Sequence, residues 1–231
     1  SHNMRKISFI TLLILSLLGL NANAQKKSFT ETVNGVSFKM IYVEGGTFTM
    51  GATPEQKNEL PDYIPLSSML DNALPTHKVK LDSYLIGETE VTQELWDAIM
   101  SPKCSELLDD EYGFFKIGEK YPMHSITWYD AIQFCEKLSQ LTGRKYCLPT
   151  EAQWEYAARG GKYSKKYVFS GATFNDLTAV AVGFSDGMQN VASKKSNELG
   201  VYDMSGNVEE WCYDWYGKYS ASNKKNPICL F

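Results

Sequence analysis

The sequence has 231 residues, of which 43% are hydrophobic, 22% charged and 13% aromatic. That balance excludes a disordered chain and suffices for one large domain or two small ones with a substantial core. The formal charge of −4, from 23 Lys and Arg against 27 Asp and Glu, excludes a sequence-wide basic field that would hold nucleic acid.

In chain order, Ser1-His2-Asn3 reads as an expression remnant ahead of a native start at Met4, and residues 4–24 read as a signal peptide. Arg5 and Lys6 form a basic start, Ile7 to Leu20 is a run of 14 mostly apolar residues, and Ala22-Asn23-Ala24 supplies a small-x-small cleavage pattern before Gln25. A helix of that run is about 21 Å long, short of the roughly 30 Å hydrocarbon layer, which favours a cleaved leader over the alternative of an uncleaved anchor. Position 25 is Gln, so a lipoprotein reading has no attachment cysteine. The expectation is a periplasmic or secreted protein that meets the membrane only through a transient leader.

Residues 33–51 read as strands: Val36, Phe38 and Met40 alternate with polar residues, Ile41-Tyr42-Val43 leads into Gly45-Gly46, and Thr47 to Gly51 alternates again. The glycine pair predicts a hairpin turning there. Residues 52–76 read as a long, Pro-punctuated surface loop, and His77 to Leu85 as one further strand.

Three helices are signalled by their caps. Thr92 caps Gln93–Met100, with Leu95, Trp96, Ile99 and Met100 on one face and Pro102 as the stop. Thr127 with Asp130 resembles a capping box ahead of a longer helix, in which Ala131, Phe134, Cys135, Leu138 and Leu141 recur at helical spacing up to Gly143. Thr150 with Gln153 is a full capping box; Trp154, Ala157 and Ala158 point inward, and Gly160-Gly161 closes the helix. Residues 162–231 read as loop with short strands. No repeat or Gly/Ser linker divides residues 25–231, so a single domain is the simpler account.

The five cysteines, Cys104, Cys135, Cys147, Cys212 and Cys229, are an odd number, so at least one thiol is free or pairs between chains. Export permits disulfides, and several small buried thiols are the other reading. His77 and His124 are too few for a zinc set and read as hydrogen-bonded structural or surface side chains. Gly-x-Ser-x-Gly, Gly-x-Gly-x-x-Gly and P-loop patterns are absent.

Five segments carry a resemblance. They are Gly45-Gly46-Thr47-Phe48-Thr49-Met50-Gly51; Pro75 to Val79 running on to Glu90-Val91-Thr92; Pro122 to Ala131 with Phe134-Cys135; Leu148-Pro149-Thr150-Glu151-Ala152-Gln153-Trp154-Glu155-Tyr156-Ala157-Ala158-Arg159-Gly160-Gly161; and Asn197 to Trp211, with Met204-Ser205-Gly206-Asn207-Val208 before Glu210-Trp211. In this order over residues 40–216 they resemble the formylglycine-generating-enzyme-like family, also called the sulfatase-modifying-factor domain.

The resemblance implies an α+β fold related to C-type lectins, rich in coil, with short strands and about three helices. It also implies calcium in the 203–210 turn, held by the Asp203 side chain, the Gly206 and Val208 carbonyls and the Glu210 carboxylate. Without the resemblance, the same residues read as a Gly-Asn turn with solvated acids. Glu209 stands where the family usually has Trp. Family enzymes oxidise a sulfatase cysteine to formylglycine with copper held by a closely spaced cysteine pair near the C-terminus. That pair and the family's Arg-Gly-Gly-Ser-like closing stretch are not found before Phe231, and Cys212 and Cys229 do not have the pair's spacing. Catalytic residues are therefore not assigned, and copper enters only with the missing segment.

Three functions follow. The first is an exported, non-catalytic module that binds a protein or glycan of the cell envelope, with Tyr167, Phe169, Phe174 and Phe184 lining a groove. The second is a formylglycine-generating oxidase acting on a sulfatase, truncated in this sequence. The third is a structural partner in a larger envelope assembly.

Overall fold

The computed structural model describes residues 9–10, 13–14, 27–60, 70–108, 116–183 and 186–227. The strands are β1 (Phe9–Ile10), β2 (Leu13–Ile14), β3 (Phe29–Val33), β4 (Val36–Val43), β5 (Gly46–Met50), β6 (His77–Leu81), β7 (Tyr84–Gly87), β8 (Tyr146–Cys147), β9 (Glu210–Trp211) and β10 (Lys224–Lys225). The helices are α1 (Pro54–Glu59), α2 (Gln93–Ile99), α3 (Cys104–Leu107), α4 (Trp128–Thr142) and α5 (Glu151–Ala158), with short 3-10 turns between them. The architecture is α+β with much ordered coil.

A five-stranded sheet in the order β3-β4-β7-β2-β8 forms the centre, a three-stranded sheet β10-β6-β5 lies apart from it, and β1 pairs with β9. The central sheet separates two cores because its strands alternate. Met40 and Leu85 join Trp96, Phe134 and Leu138 in the first core. Ile41, Val43, Tyr84 and Ile86 join Val79, Leu81 and Tyr156 in the second. Trp96 of α2 stacks on Phe134 of α4 with ring centroids 5.5 Å apart.

The three predicted helices form with their predicted caps. The Thr92 side chain accepts from Leu95 N, and Thr127/Asp130 and Thr150/Gln153 each make a reciprocal capping box. Gly143 ends α4 in the left-handed conformation. Trp154, expected inside, is only half-buried; Tyr156 is the ring that α5 sinks into the second core. The 52–76 stretch, read as loop, contains α1 and a 3-10 turn at Leu70–Ala73.

Two strand expectations are corrected. Gly45-Gly46 is not a hairpin: β4 pairs with β3 and β7, whereas β5 pairs with β6. The glycines instead carry the chain from one sheet to the other. Gly45 is needed because a Cβ there would stand 2.5 Å from the Leu81 carbonyl oxygen, and its N–H donates to Ser83 Oγ at 2.9 Å. The predicted His77–Leu85 strand breaks at Asp82-Ser83 against that same corner, so β6 and β7 fall in different sheets. The hairpin in this region is β3–β4, turned by Asn34-Gly35 with φ of 48° and 85°. Residues 9–10 and 13–14, inside the expected leader, are paired with the body of the domain.

Candidate functional site

The 203–210 turn is held by its own backbone and by Asn207. Asp203, Gly206 and Asn207 all take positive φ, and a Cβ on Gly206 would overlap the Val182 carbonyl oxygen. Asn207 N donates to Val182 O at 3.2 Å, and its amide accepts from Gln189 N and donates to Gln189 O. These bonds pin the turn to the 182–189 segment.

The four predicted calcium residues, Asp203, Gly206, Val208 and Glu210, line one cavity of about 460 Å³ together with Trp154. Asp203 Oδ2 accepts from Ala192 N at 2.7 Å, but Asp203 Oδ1 and Glu210 Oε2 are buried without a hydrogen-bond partner. Glu90, which the sequence reading passed over, stands behind them. Its Oε2 accepts from Asn207 Nδ2 at 3.3 Å, and its Oε1 is also buried and unpartnered.

Burial pushes all three carboxyls upward. Glu90 is raised well above the usual range by desolvation, then by the charges of Asp203 and Glu210. Asp203 is raised by burial, against the opposing pull of the Ala192 N–H and of Glu90, and Glu210 is pushed up to about 8 by burial, with the neighbouring Trp154 indole working against the rise and the Asp203 charge adding to it. Buried carboxylate oxygens without donors, beside main-chain carbonyls on a tight turn, fit a hard cation that takes oxygen ligands. The fit rests on that mixed set, because no three His, Cys, Asp or Glu side chains among the described residues are disposed to hold a metal by themselves.

A second cavity, of about 650 Å³, adjoins the turn and shares Glu151, Glu210, Trp211 and Cys212 with it. Trp128, Tyr129, Tyr213, Trp215 and Tyr216 line it, and Glu151 and Asp214 supply further charge. Trp128 is its centre: its ring lies 5.3 Å from Tyr129, 6.2 Å from Tyr213 and 6.4 Å from Trp215. The Trp128 indole donates to Cys212 O and the Trp211 indole to Ile126 O, which fastens the segment after the turn to the start of α4. Glu151 Oε1 accepts from the Tyr219 hydroxyl at 2.7 Å, and Glu151 N donates to Asp214 Oδ1.

This cleft replaces the groove expected from Tyr167, Phe169 and Phe174. Those three rings are half-buried, with Phe169 packed near Phe174, and Phe184 lies outside the described residues. By contrast, Tyr129 and Tyr216 are 72% and 78% exposed. The signal available in the sequence was the Trp-Cys-Tyr-Asp-Trp-Tyr run at 211–216.

The described thiols are Cys104, Cys135, Cys147 and Cys212, and none forms a disulfide. Burial raises every one of them, Cys147 to about 11 and the others further, and Asp214, Glu151 and Glu210 add to the effect at Cys212. Cys229 lies outside the described residues. His77 and His124 are buried, with Nδ1 near Pro75 O and Ser125 Oγ respectively.

The model of the sulfatase-modifying factor enzyme 1-like domain matches residues 25–229. The chain belongs to that family. Chaperone protein LppX of Paenibacillus barcinonensis is 30% identical over 90% of this chain and 80% of its own length. The inactive C-alpha-formylglycine-generating enzyme 2 of Bos taurus is 26% identical over 80% of this chain and 74% of its own. Serine/threonine-protein kinase pkn1 of Chlamydia pneumoniae is 32% identical over 82% of this chain, which spans only 30% of that protein. Among solved structures, Treponema denticola variable protein 1 superposes with a TM-score of 0.66 at 29% identity, over 86% of this chain and 81% of that one.

Within the family frame, several motif residues have structural tasks. Glu155 accepts from Gly51 N and pairs with Arg159, whose guanidinium donates to Gly51 O, so α5 clamps the end of β5. Asn197 donates to Ala157 O at the end of α5 and accepts from Leu199 N and Val201 N. The family segments thus build the scaffold, and the turn and cleft are what it presents.

Proposed function

We propose that this chain is an exported, non-catalytic binding module of the sulfatase-modifying-factor family, with the 128–129/211–216 cleft as its ligand site. The observation that carries the reading is the contrast between thiols and aromatics. The described thiols are enclosed, Cys104 and Cys135 fully and Cys147 and Cys212 in part, and burial raises all four above the ordinary thiol value. The cleft beside Cys212 has the chemistry of recognition: exposed Trp and Tyr faces with carboxylates among them. Its acidic lining is Glu151 and Asp214, with Glu210 at the border with the turn, and their oxygens accept hydrogen bonds. A ligand that brings N–H or O–H donors, on an envelope protein or glycan, complements it. The similarity to an inactive formylglycine-generating enzyme and to a protein named as a chaperone supports the same reading.

Calcium in the 203–210 turn belongs to this proposal as a structural cation, held by Asp203, Glu210 and the Gly206 and Val208 carbonyls. It would neutralise the acids beneath the cleft and so fix Glu210 and Trp211, which both cavities share. Export follows from the leader at residues 4–24, with Gln25 as the first mature residue. Among the described residues, no helix is long and apolar enough to cross a membrane.

The test is direct. The purified protein is incubated with a sulfatase-motif cysteine peptide, Cu(I) and oxygen, and the peptide is weighed by mass spectrometry. No formylglycine is expected, and turnover to the aldehyde would overturn the reading in favour of an oxidase.

A further inference from the structure

A further cavity, of about 700 Å³, opens at the other end of α5 from the aromatic cleft. Glu151 at the start of α5 lines the cleft, whereas Tyr156 and Arg159 at its far end line this cavity. Phe48 against Tyr156, with ring centroids 5.1 Å apart, forms the floor. Gly46 leaves room for the Tyr156 hydroxyl, because a Cβ there would stand 2.6 Å from it. The walls carry the cations Lys78, Arg159, Lys162 and Lys166 and no carboxylate, and Thr47, Thr49 and Ser164 add hydroxyls. In a chain of formal charge −4 that is a local inversion of sign.

Two of these cations are already paired. Arg159 is held by Glu155 and donates to Gly51 O at 2.8 Å, and Lys162 pairs with Glu44. The other two are not. Lys78 donates to Thr49 Oγ1 at 2.7 Å, and neither Lys78 nor Lys166 has an ion-pair partner among the described residues.

The unpaired charge continues over the three-stranded sheet. Lys78 and Lys80 are the two exposed positions of β6, opposite Thr49 and Thr47 of β5. On its other side Lys80 is the register partner of Lys225 on β10. Like charges at directly paired positions repel, and Asp82 at the end of this strand is engaged by Asn226 instead. Strands lie about 4.8 Å apart and alternate residues about 6.7 Å apart, so Lys225, Lys80 and Lys78 form a row that leads into the cavity. Such a row complements anions repeated along a chain better than it complements one small ion.

We propose that the cavity and this lysine row bind an acidic polysaccharide, a chain of sugars bearing sulfate, phosphate or carboxylate groups. The lysines meet the oxyanions, Arg159 stands preset by Glu155 and Gly51, and the threonine and serine hydroxyls bond sugar hydroxyls. No exposed aromatic ring lines the cavity as a platform for nucleobases, and no aliphatic side chain lines it to enter a bilayer. The site is separate from the aromatic cleft and does not depend on what the cleft binds.

The test titrates fluorescein-labelled dextran sulfate with the full chain and reads anisotropy, beside neutral dextran of the same length and a DNA duplex of matched charge. Dextran sulfate is expected to bind, more weakly at about 200 than at about 50 mM NaCl, and neutral dextran is not. Lys78→Ala combined with Lys80→Ala should weaken binding by roughly tenfold. Lys137→Ala combined with Lys145→Ala removes the same charge in and just after α4, beside the first core, and should change binding by less than about twofold. Lys166→Ala, at an exposed coil position, decides if the sheet variant does not fold, and should weaken binding by about threefold. No binding of dextran sulfate, or equal losses in the two double variants, overturns the proposal. DNA binding as tight as dextran sulfate assigns the face to nucleic acid and overturns it. Sodium sulfate that displaces the polymer better than sodium chloride of equal ionic strength assigns the cavity to a single oxyanion and also overturns it.

Discussion

At the scale of single residues, the most demanding feature is the carboxylate cluster of Glu90, Asp203 and Glu210. Each side chain has an oxygen that is buried and lacks a donor. In the metal-free protein, Glu210 titrates near 8, above its ordinary 4.5. The folded state then binds more protons than the unfolded state between those values, so stability falls as pH rises through that window. A calcium ion among the oxygens reverses the incentive, because it needs the carboxylates ionised. Urea denaturation in EGTA is therefore expected to show a lower midpoint at pH 8 than at pH 5.5, and millimolar calcium is expected to recover most of the loss. Glu210→Gln should reduce the pH dependence, leaving the part due to Glu90 and Asp203, and abolish the calcium response. Identical curves in calcium and EGTA would refute a cation in this turn. The Asp203–Glu210 half of the cluster was legible because it is contiguous and lies in a family motif. Glu90 was not, because its role depends on a contact across the fold with Asn207 that no local pattern encodes.

At the scale of elements, legibility divides between helices and strands. Helix caps are local: the Thr127/Asp130 and Thr150/Gln153 boxes span four residues each, and both formed where the sequence places them. Strand partners are not local. Residues 36–50 have the alternation of paired strands, yet β4 and β5 belong to different sheets. The Asn34-Gly35 turn carries the stronger hairpin signature, and it is the one that folds. Gly45 does a different job, letting two inter-sheet corners touch. Gly45→Ala pushes a methyl group against the Leu81 carbonyl and the Asp82–Ser83 backbone, which cannot swing aside as a side chain would. It is expected to destabilise the domain by roughly 1–3 kcal/mol, the range of overpacking and backbone displacement. Denaturant midpoints measure it, and a change under about 0.5 kcal/mol would show that the corner is looser than its geometry implies.

At the scale of the whole molecule, the aromatic content divides into two populations with different work. Trp96 and Phe134 are stacked and fully enclosed in the first core, and Tyr156 is sealed in the second. Tyr129, Trp215 and Tyr216 are instead gathered on one exposed face around Trp128. A folded domain keeps scattered apolar side chains at its surface as a matter of course, but a contiguous cluster of large rings marks a contact surface. The two populations should respond oppositely to truncation. Trp96→Ala removes a buried ring and is expected to cost about 3–5 kcal/mol, a large fraction of the roughly 5–15 kcal/mol that holds an ordinary domain together. Tyr216→Ala removes a ring that already faces water and should move the denaturation midpoint by no more than about 0.5 kcal/mol. The same substitution should nevertheless lower the fluorescence of Nile red, a neutral dye that reports exposed apolar surface without meeting repulsion from Glu151 and Asp214. If Tyr216→Ala instead destabilised the protein as Trp96→Ala does, the cleft would be part of the core, and the separation of scaffold from binding face would fail.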